Sequence, residues 1–426
     1  MSYFSHMQTF TAAFLAALAL TLGLRLWLAW RHIRHVKRCR DRVPPDFSEH
    51  ISLAAHQKAA DYSTEKVRLS VVDIFVSAVF LLVLTLGGAL QALHEAWLRA
   101  FDADSYAHGI ALIASVALIS GLIDLPLTLY RTFVVEERFG FNKMTLRLFF
   151  ADLAKQTLLG AALGLPLLLC VLWLMQRMGE QWWLYVWLTW MAFNLLVLTV
   201  YPTLIAPLFN KFTPLEDASL KTRIEALLAK CGFRAQGLYV MDSSRRTGHG
   251  NAYFTGFGAA KRIVLFDTLI ARLAPAEIEA VLAHELGHFK HHHVWKRIAA
   301  MFAMSLGFLW LLGYAMKQDW FYAGLNVQTH STALALLLFF LVVPVFTFLL
   351  HPLTSLYSRR HEFQADAYAA RHAVSADLVR ALVKLYQDNA ATLTPDPIFS
   401  AFYDSHPPAI ARIARLQAAG IQPQPA

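Results

Sequence analysis

Seven long apolar runs are the feature that most restricts how this chain can fold. They lie near residues 8–30, 70–92, 107–130, 157–176, 182–204, 297–316 and 332–354. Each is long enough to cross the roughly 30 Å hydrocarbon core of a bilayer as a helix, which takes about 20 residues. Inside that core a helix satisfies its own backbone hydrogen bonds. The sequence therefore predicts a mainly α, polytopic membrane protein with seven transmembrane helices.

Composition and charge support this prediction and restrict the partners. Of the 426 residues, 57% are hydrophobic and only 16% are charged, which is too apolar for an ordinary soluble domain. The net charge is +9, but the basic residues cluster beside the apolar runs, which indicates topology signals. We therefore expect membrane lipids around the protein and no nucleic-acid partner. The three cysteines lack CxxC spacing, so no thiolate metal site is indicated.

The distribution of lysine and arginine among the loops predicts the orientation. Segments 31–69 and 131–147 hold nine and four of these residues, whereas the alternate loops hold only Arg99, Arg177 and Lys317. Basic loops stay in the cytoplasm, so we expect the N-terminus outside and the catalytic part and C-terminus in the cytoplasm. The first run lacks a basic region before it and a small-residue cleavage site after it, so we expect it to stay as a span. The membrane would be the bacterial inner membrane in a prokaryote and that of the endoplasmic reticulum in a eukaryote.

A soluble insertion, about 208–294, separates the fifth and sixth runs. Its first pattern, "DASLKTRIEALLAKCG", predicts a helix with Leu220, Ile224, Leu227 and Leu228 on one face and Gly232 at its end. "LYVMD", "NAYFTGFG" and "RIVLFD" then predict the strands of a small sheet. "APAEIEAVLAHELGHFKHHH", residues 274–293, predicts another helix, with Ala274 before Pro275.

The second helix of the insertion carries the pattern His-Glu-x-x-His. His284 and His288 are four residues apart and therefore share a face, with Glu285 between them. In this arrangement two imidazoles bind zinc and the glutamate activates water. His288 and His292 have the same spacing without a glutamate. For His291, His292 and His293 we favour an ordinary histidine-rich helix end at the lipid headgroups.

A catalytic zinc needs a third protein ligand and one open position. The segment "SRRHEFQAD" just after the seventh run supplies candidates, since Glu362 and Asp366 lie on one helix face. We predict Glu362 as the third ligand of one zinc ion per chain, and Asp366 as the acceptor that orients a ligating imidazole. His361 competes with Glu362 but points about 100° away. Arg359 is expected to neutralise or orient Asp366, or to be a basic membrane flank.

Five motifs together resemble one family. "EERFGFNKMT" (136–145), "GNAYFTGFG" (250–258), "HELGH" (284–288), "SRRHEFQAD" (358–366) and "YDSHPP" (403–408) are similar to those of integral-membrane zinc metalloproteases of the CAAX prenyl endopeptidase type. The resemblance implies seven helices around an intramembrane chamber, with a small α+β zinc metalloprotease domain. It also implies cleavage of C-terminal peptides from peptide or protein substrates, lipidated ones included. We divide the chain into an N-terminal membrane domain, 1–207, and a metalloprotease domain, 208–426.

The resemblance also suggests roles outside the zinc motifs. Asn251, Ala252 and Tyr253 would form an edge to which substrate pairs as an added strand; the alternative is an internal hairpin strand. His406 matches a family histidine that donates to the oxyanion; the alternative is a loop histidine before a helix. Asp124, Asp152 and Lys155 lie within or at the ends of spans and would either line a wet chamber or pair helices.

Two other functions are compared with a CAAX-type endopeptidase. A membrane quality-control metalloprotease would share the catalytic motif but normally has fewer spans. A transporter or receptor could hold a structural zinc, but structural sites are closed and need no base such as Glu285. We therefore favour the zinc endopeptidase.

Overall fold

The computed structural model describes residues 2–255 and 261–421. The helices are α1 (Ser2–Cys39), α2 (Leu53–Leu84), α3 (Ala89–Trp97), α4 (Tyr106–Tyr130), α5 (Leu146–Arg177), α6 (Trp182–Val200), α7 (Ala218–Lys230), α8 (Asp267–Ile270), α9 (Pro275–Lys290), α10 (His293–Ala315), α11 (Asp319–Ala323), α12 (Thr332–Thr347), α13 (His351–His372), α14 (Ser375–Asp388), α15 (Pro397–Tyr403) and α16 (Ala409–Ile421). The strands are β1 (Phe212–Pro214), β2 (Gly237–Met241), β3 (Ala252–Thr255) and β4 (Arg262–Phe266).

Seven helical segments of the described chain are long and apolar enough to cross a membrane, as the sequence predicts. They are His6–Cys39, Leu53–Leu84, Tyr106–Glu136, Leu146–Arg177, Gly179–Leu208, His293–Ala315 and Thr332–His372. Many of their large apolar side chains face outward, such as Leu118, Leu158 and Phe340. In lipid this outward apolar surface is the expected one, because the surrounding acyl chains are themselves apolar. The protein is therefore a multi-pass membrane protein.

The second span differs from the predicted run 70–92. Helix α2 begins at Leu53 and ends at Leu84, and the chain then turns before α3. Gly88, with φ of +75°, precedes the first residue of α3. That left-handed conformation is accessible to glycine at little cost, so the Gly87–Gly88 pair ends the span earlier than apolarity alone suggests.

The seventh span continues into the segment that holds the predicted third ligand. Helices α12 and α13 are joined by a single tight turn, Phe348–Leu350. Pro352 lies in the first turn of α13, where its missing N–H breaks no helical bond. Glu362 thus lies on a helical rod that starts inside the membrane.

The soluble insertion folds as a four-stranded sheet covered by helices. The strand order is β1-β2-β4-β3, with β2 parallel to β4 and the two outer pairs antiparallel. The predicted apolar face of α7 is buried with α9 and β4 in one core. Strand β3 is an outer strand of this sheet. The predicted small α+β unit is therefore present, although part of the "GNAYFTGFG" motif, residues 256–258, lies outside the described residues.

Helix α9 is shorter than the predicted 274–293. Its N-terminus is satisfied by Glu277, whose carboxylate accepts the backbone N–H of Ala274 at 2.7 Å. At the other end His292 adopts a φ of 55° and the next helix starts at His293. The histidine run is therefore split between two helices.

Candidate metal centre

Close packing of α9 against α13 builds the centre. A Cβ atom on Gly287 would lie 2.8 Å from the Cα of Ala365, which real Cβ contacts do not tolerate, so only glycine permits this approach. His284 and His288 flank Gly287 on α9, and Glu362 lies one turn before Ala365 on α13. The two helices thereby bring the three predicted ligands together.

The three side chains form a compact triangle in which a different Glu362 oxygen faces each histidine. The Nε2 atoms of His284 and His288 are 3.2 Å apart. Glu362 places Oε2 at 3.5 Å from the first and Oε1 at 3.4 Å from the second. Tetrahedral zinc with ligand bonds of about 2.0–2.1 Å separates neighbouring ligand atoms by about 3.3 Å. The triangle, which we call the ligand triangle, therefore fits one face of a zinc tetrahedron.

The electrostatics of the ligand triangle also favour a cation. Burial disfavours the charged form of His284, but hydrogen bonds with Asp366 and Glu362 outweigh it and raise its pKa to about 9. Burial and the charge of His284 lower the pKa of His288 to about 3. Glu362 Oε2 is buried and has only a long contact, 3.5 Å, with Nε2 of His284, which suits an atom that binds a metal.

Asp366 contacts His284 on the nitrogen that faces away from Glu362. Its Oδ1 lies 2.9 Å from Nδ1 of His284, which leaves Nε2 free to face the ligand triangle. Arg412 of α16 donates two hydrogen bonds to the same carboxylate, from Nε at 2.9 Å and from a terminal nitrogen at 2.6 Å. Both Asp366 and Arg412 are almost completely buried. No local sequence pattern indicates Arg412, because it lies 46 residues from Asp366 in the chain.

The prediction that Arg359 acts on Asp366 is wrong. Arg359 lies seven residues earlier on α13, about 10 Å along a helix, and its guanidinium points away from the ligand triangle. It donates to the backbone oxygen of Asp404 at 3.3 Å and to the carbonyl and hydroxyl oxygens of Ser400. Arg359 therefore fixes the segment that leads from α15 to His406.

His288 is oriented by a histidine that the sequence led us to set aside. The Nδ1 atoms of His288 and His293 are 3.0 Å apart, and Nε2 of His293 lies 2.8 Å from the side-chain oxygen of Gln364. His293 is fully buried, so it is not a headgroup histidine. The left-handed turn at His292 directs it inward, and sequence spacing on one continuous helix could not show this.

The two predicted catalytic residues lie at the rim of the ligand triangle. Glu285 is partly buried on α9, and burial raises the pKa of its carboxyl group. His406 is exposed, and its Nε2 lies 3.5 Å from Oε1 of Glu362. Neither side chain belongs to the compact ligand group, which consists of His284, His288 and Glu362. Both are therefore free to act on a bound peptide.

Strand β3 presents an open edge, as expected for Asn251, Ala252 and Tyr253. Its inner edge pairs with β4, where Ala252 faces Leu265 and Tyr253 faces Val264. Asn251 immediately precedes the strand, and its carbonyl accepts the N–H of Phe266 at 3.0 Å. Within the described residues no strand pairs with the outer edge. Strand β3 is thus one arm of an antiparallel pair with β4, as in the hairpin alternative, and it also has an outer edge that no described strand covers.

The ionisable residues at the start of α5 connect the membrane helices to the sheet. Asp152 is buried and accepts two hydrogen bonds from Arg246, at 2.8 and 3.1 Å. Lys155 donates to the backbone oxygen of Leu208 at 2.9 Å. Asp152 thus holds the loop before β3 instead of pairing two spans.

Two protein-family models together match most of the chain. Residues 32–211 match the family model described as CAAX prenyl protease N-terminal, five membrane helices. Residues 214–419 match the model of peptidase family M48.

Individual relatives are similar over most of their length. The CAAX prenyl protease 1 homolog of Arabidopsis thaliana is 39% identical over 72% of this chain and 73% of the relative. The Homo sapiens CAAX prenyl protease 1 homolog is 31% identical over 94% of each chain. The crystal structure of S. mikatae Ste24p aligns with a TM-score of 0.88 at 31% identity, covering 95% of this chain and 98% of that one. The chain therefore belongs to metallopeptidase family M48, as a membrane-embedded metalloprotease of the CAAX prenyl protease type.

Proposed function

We propose that this protein is a zinc endopeptidase that removes C-terminal peptides from substrates delivered through the membrane, prenylated CaaX substrates included. The observation that carries the proposal is the ligand triangle, which lies beside Glu285 and is built on a helix continuous with the seventh span. The names of the relatives support the substrate class.

His284, His288 and Glu362 hold one zinc ion per chain in this proposal. When bound, zinc supplies Lewis acidity that polarises the peptide carbonyl and lowers the pKa of water to about 7. Asp366 keeps Nε2 of His284 unprotonated by accepting the Nδ1 proton, and His293 restrains His288 in the same way.

In this proposal Glu285 transfers protons and His406 stabilises the negative charge that develops on the substrate. Glu285 accepts the proton of the attacking water and passes it to the leaving amine. His406, whose ring reaches Glu362 from the opposite side of the site, donates to the oxygen that becomes negatively charged. The open edge of β3 holds the peptide extended, with Asn251, Ala252 and Tyr253 as its partners.

The proposed orientation puts the catalytic domain and the C-terminus in the cytoplasm, with the N-terminus outside. Thirteen basic residues in two loops against three in the alternate loops support it. The membrane is the inner membrane in a bacterium or that of the endoplasmic reticulum in a eukaryote, with lipids as its surroundings and no nucleic-acid partner. The division at residue 207 is supported by the two family models, which meet near that position.

Metal analysis and peptide cleavage test the proposal together. Purified protein should contain about one zinc per chain, as a site with three protein ligands predicts, and the His284→Ala variant should lose it. A farnesylated CaaX peptide should lose its last three residues in detergent, and a chelator should stop the reaction. The control is His372→Ala, which changes a histidine at the far end of α13.

Two results would contradict the proposal. Stoichiometric zinc in both His284→Ala and Glu362→Ala would refute the ligand assignment. Equal cleavage of farnesylated, unlipidated and internal-sequence peptides would instead favour the quality-control protease.

A further inference from the structure

A cavity of about 650 Å³ opens beside the first residue of the substrate edge. Its lining includes Gly250 and Asn251, and it extends to Asp404, two residues before His406. It is also lined by residues of α1 and α2, so it joins the protease unit to the membrane helices. Its volume is in the range of ligand sites, about 300–1,000 Å³.

The direction of β3 relates this cavity to the substrate. The strand runs from Ala252 to Thr255, and antiparallel pairing is slightly the more stable kind. A peptide added antiparallel to the open edge therefore runs the other way, with its C-terminal residues at the Asn251 end. The residues that follow the cleaved bond would leave the edge of the sheet and enter the cavity.

Two cationic side chains line the cavity, the half-buried Arg25 and the exposed Lys66. Arg25 is inside the first span and Lys66 is on α2, and both line the cavity. Neither makes an ion pair with any described residue. Arg25 lies over the ring of Phe348 at 5.6 Å and interacts with the neutral Tyr403 side chain, and its buried Nε–H donates to no described acceptor. Lys66 lies 4.8 Å from the centre of the Tyr62 ring and interacts electrostatically with Glu136, without forming an ion pair with it. An uncompensated arginine in a span is costly and marks a functional site.

The nearby carboxylates are already engaged. Glu136 accepts the Tyr62 hydroxyl through one oxygen at 2.5 Å, and its other oxygen lies 3.5 Å from His249. Asp404 also lines the cavity; its backbone carbonyl accepts from Arg359, and its carboxylate interacts electrostatically with the same guanidinium. The cavity therefore has an excess of positive charge that an anionic ligand would balance.

We propose that this cation cavity, defined by Arg25, Lys66 and Asn251, binds the C-terminal carboxylate of the substrate. The inference rests on the proposed function and extends it, because it explains how an endopeptidase finds a bond close to a chain end. The enzyme recognises the free carboxylate on one side of the zinc and cleaves at the distance set by an extended peptide, about 3.4 Å per residue.

Peptides that differ only in their last group test this assignment. A farnesylated peptide with a free C-terminal carboxylate is compared with its C-terminal amide. Wild-type enzyme should show a KM about ten- to one-hundredfold higher for the amide, the size expected for hydrogen bonds to a charged group, with a smaller change in kcat. Arg25→Gln and Lys66→Gln should each reduce this preference, and the double variant should abolish it.

Matched controls lie on the same helices. Arg34 of α1 stacks on Trp30, and Arg68 of α2 pairs with Glu65; neither lines the cavity. Arg34→Gln and Arg68→Gln should keep the preference for the acid. Zinc content and a monodisperse elution profile show that each variant has folded.

Binding of the released tripeptide is measured in parallel, because it needs no catalysis. Tighter binding of the tripeptide acid than of its amide, lost in the double variant, supports the carboxylate site even if the farnesylated peptide is not cleaved. Equal KM and equal binding for acid and amide would overturn the inference while leaving the protease intact. A preference for the acid that survives in the double variant would overturn it as well.

Discussion

The metal centre and the cation cavity balance their charges in opposite ways. In the metal centre each buried charge meets a partner from the chain itself, as Arg412 does with Asp366. In the cavity Arg25 and Lys66 have no carboxylate within ion-pair distance among the described residues. A buried charge is tolerated when it is paired, so the first region is complete apart from its metal. In the second region Lys66 is exposed, and a ligand that brings the opposite charge would pair the half-buried Arg25.

This difference separates variants that act on chemistry or metal from those that act on substrate binding. Changes near the ligand triangle should alter kcat or zinc affinity. Changes around the substrate edge should alter KM.

Glu285→Gln should produce the largest loss. Removal of a general base lowers kcat by about 10²–10⁴-fold, whereas zinc content should stay near that of the wild type because Glu285 is outside the ligand triangle. Cleavage assays and metal analysis are run on the same sample. Glu279→Gln, a change on the same helix at a residue paired with Arg223, is the control. Loss of zinc in proportion to activity would make Glu285 a ligand.

His406→Ala should lower kcat by about 10²–10³-fold, the effect of one oxyanion donor. The side chain is exposed, so its removal should change neither thermal stability nor zinc content. Steady-state kinetics with the farnesylated peptide measure the effect, and His372→Ala serves as the control. An unchanged kcat would show that His406 is a loop histidine without a catalytic role.

Arg412→Met should weaken zinc binding at the metal centre. The variant leaves Asp366 buried without its cation, so the carboxylate loses its hold on His284. Loss of such a partner lowers metal affinity by about 10–100-fold, which competition with a chelator measures. Arg415→Met, which removes an arginine stacked on Phe363 of the same helix pair, should leave the affinity unchanged. Wild-type affinity in Arg412→Met would show that Asp366 needs no cation.

Asn389→Ala should have the smallest effect and should act only on KM. The side-chain oxygen of Asn389 accepts the N–H of Gly250 at 3.3 Å and faces the ring of His249 at 3.2 Å. The loss of one hydrogen bond, worth about 1 kcal/mol, corresponds to about a fivefold rise in KM. The exposed neighbour Gln387→Ala is the control. A fall in kcat at constant KM would place Asn389 with the metal centre instead.

Local periodicity explains which features could be predicted. His284, Glu285 and His288 share one turn of helix, and Glu362 and Asp366 share another, so spacing alone showed that each set lies together. Arg412 and His293 depend on contacts between helices and on a left-handed turn, which spacing does not encode. In the same way, length and apolarity predicted seven spans, whereas the Gly87–Gly88 turn moved the end of the second. The cation cavity needs α1, α2 and the sheet in place, so no single segment could indicate it.

The chain from Arg412 through Asp366 to His284 has a consequence for how the enzyme is made. These contacts are made within the chain, so we expect the ligands to keep their positions whether or not the ion is bound. Zinc can therefore be loaded after membrane insertion, and an enzyme stripped by a chelator should regain activity when zinc is restored, without refolding. Metal supply then acts as a reversible control over mature protein instead of a condition for its biosynthesis.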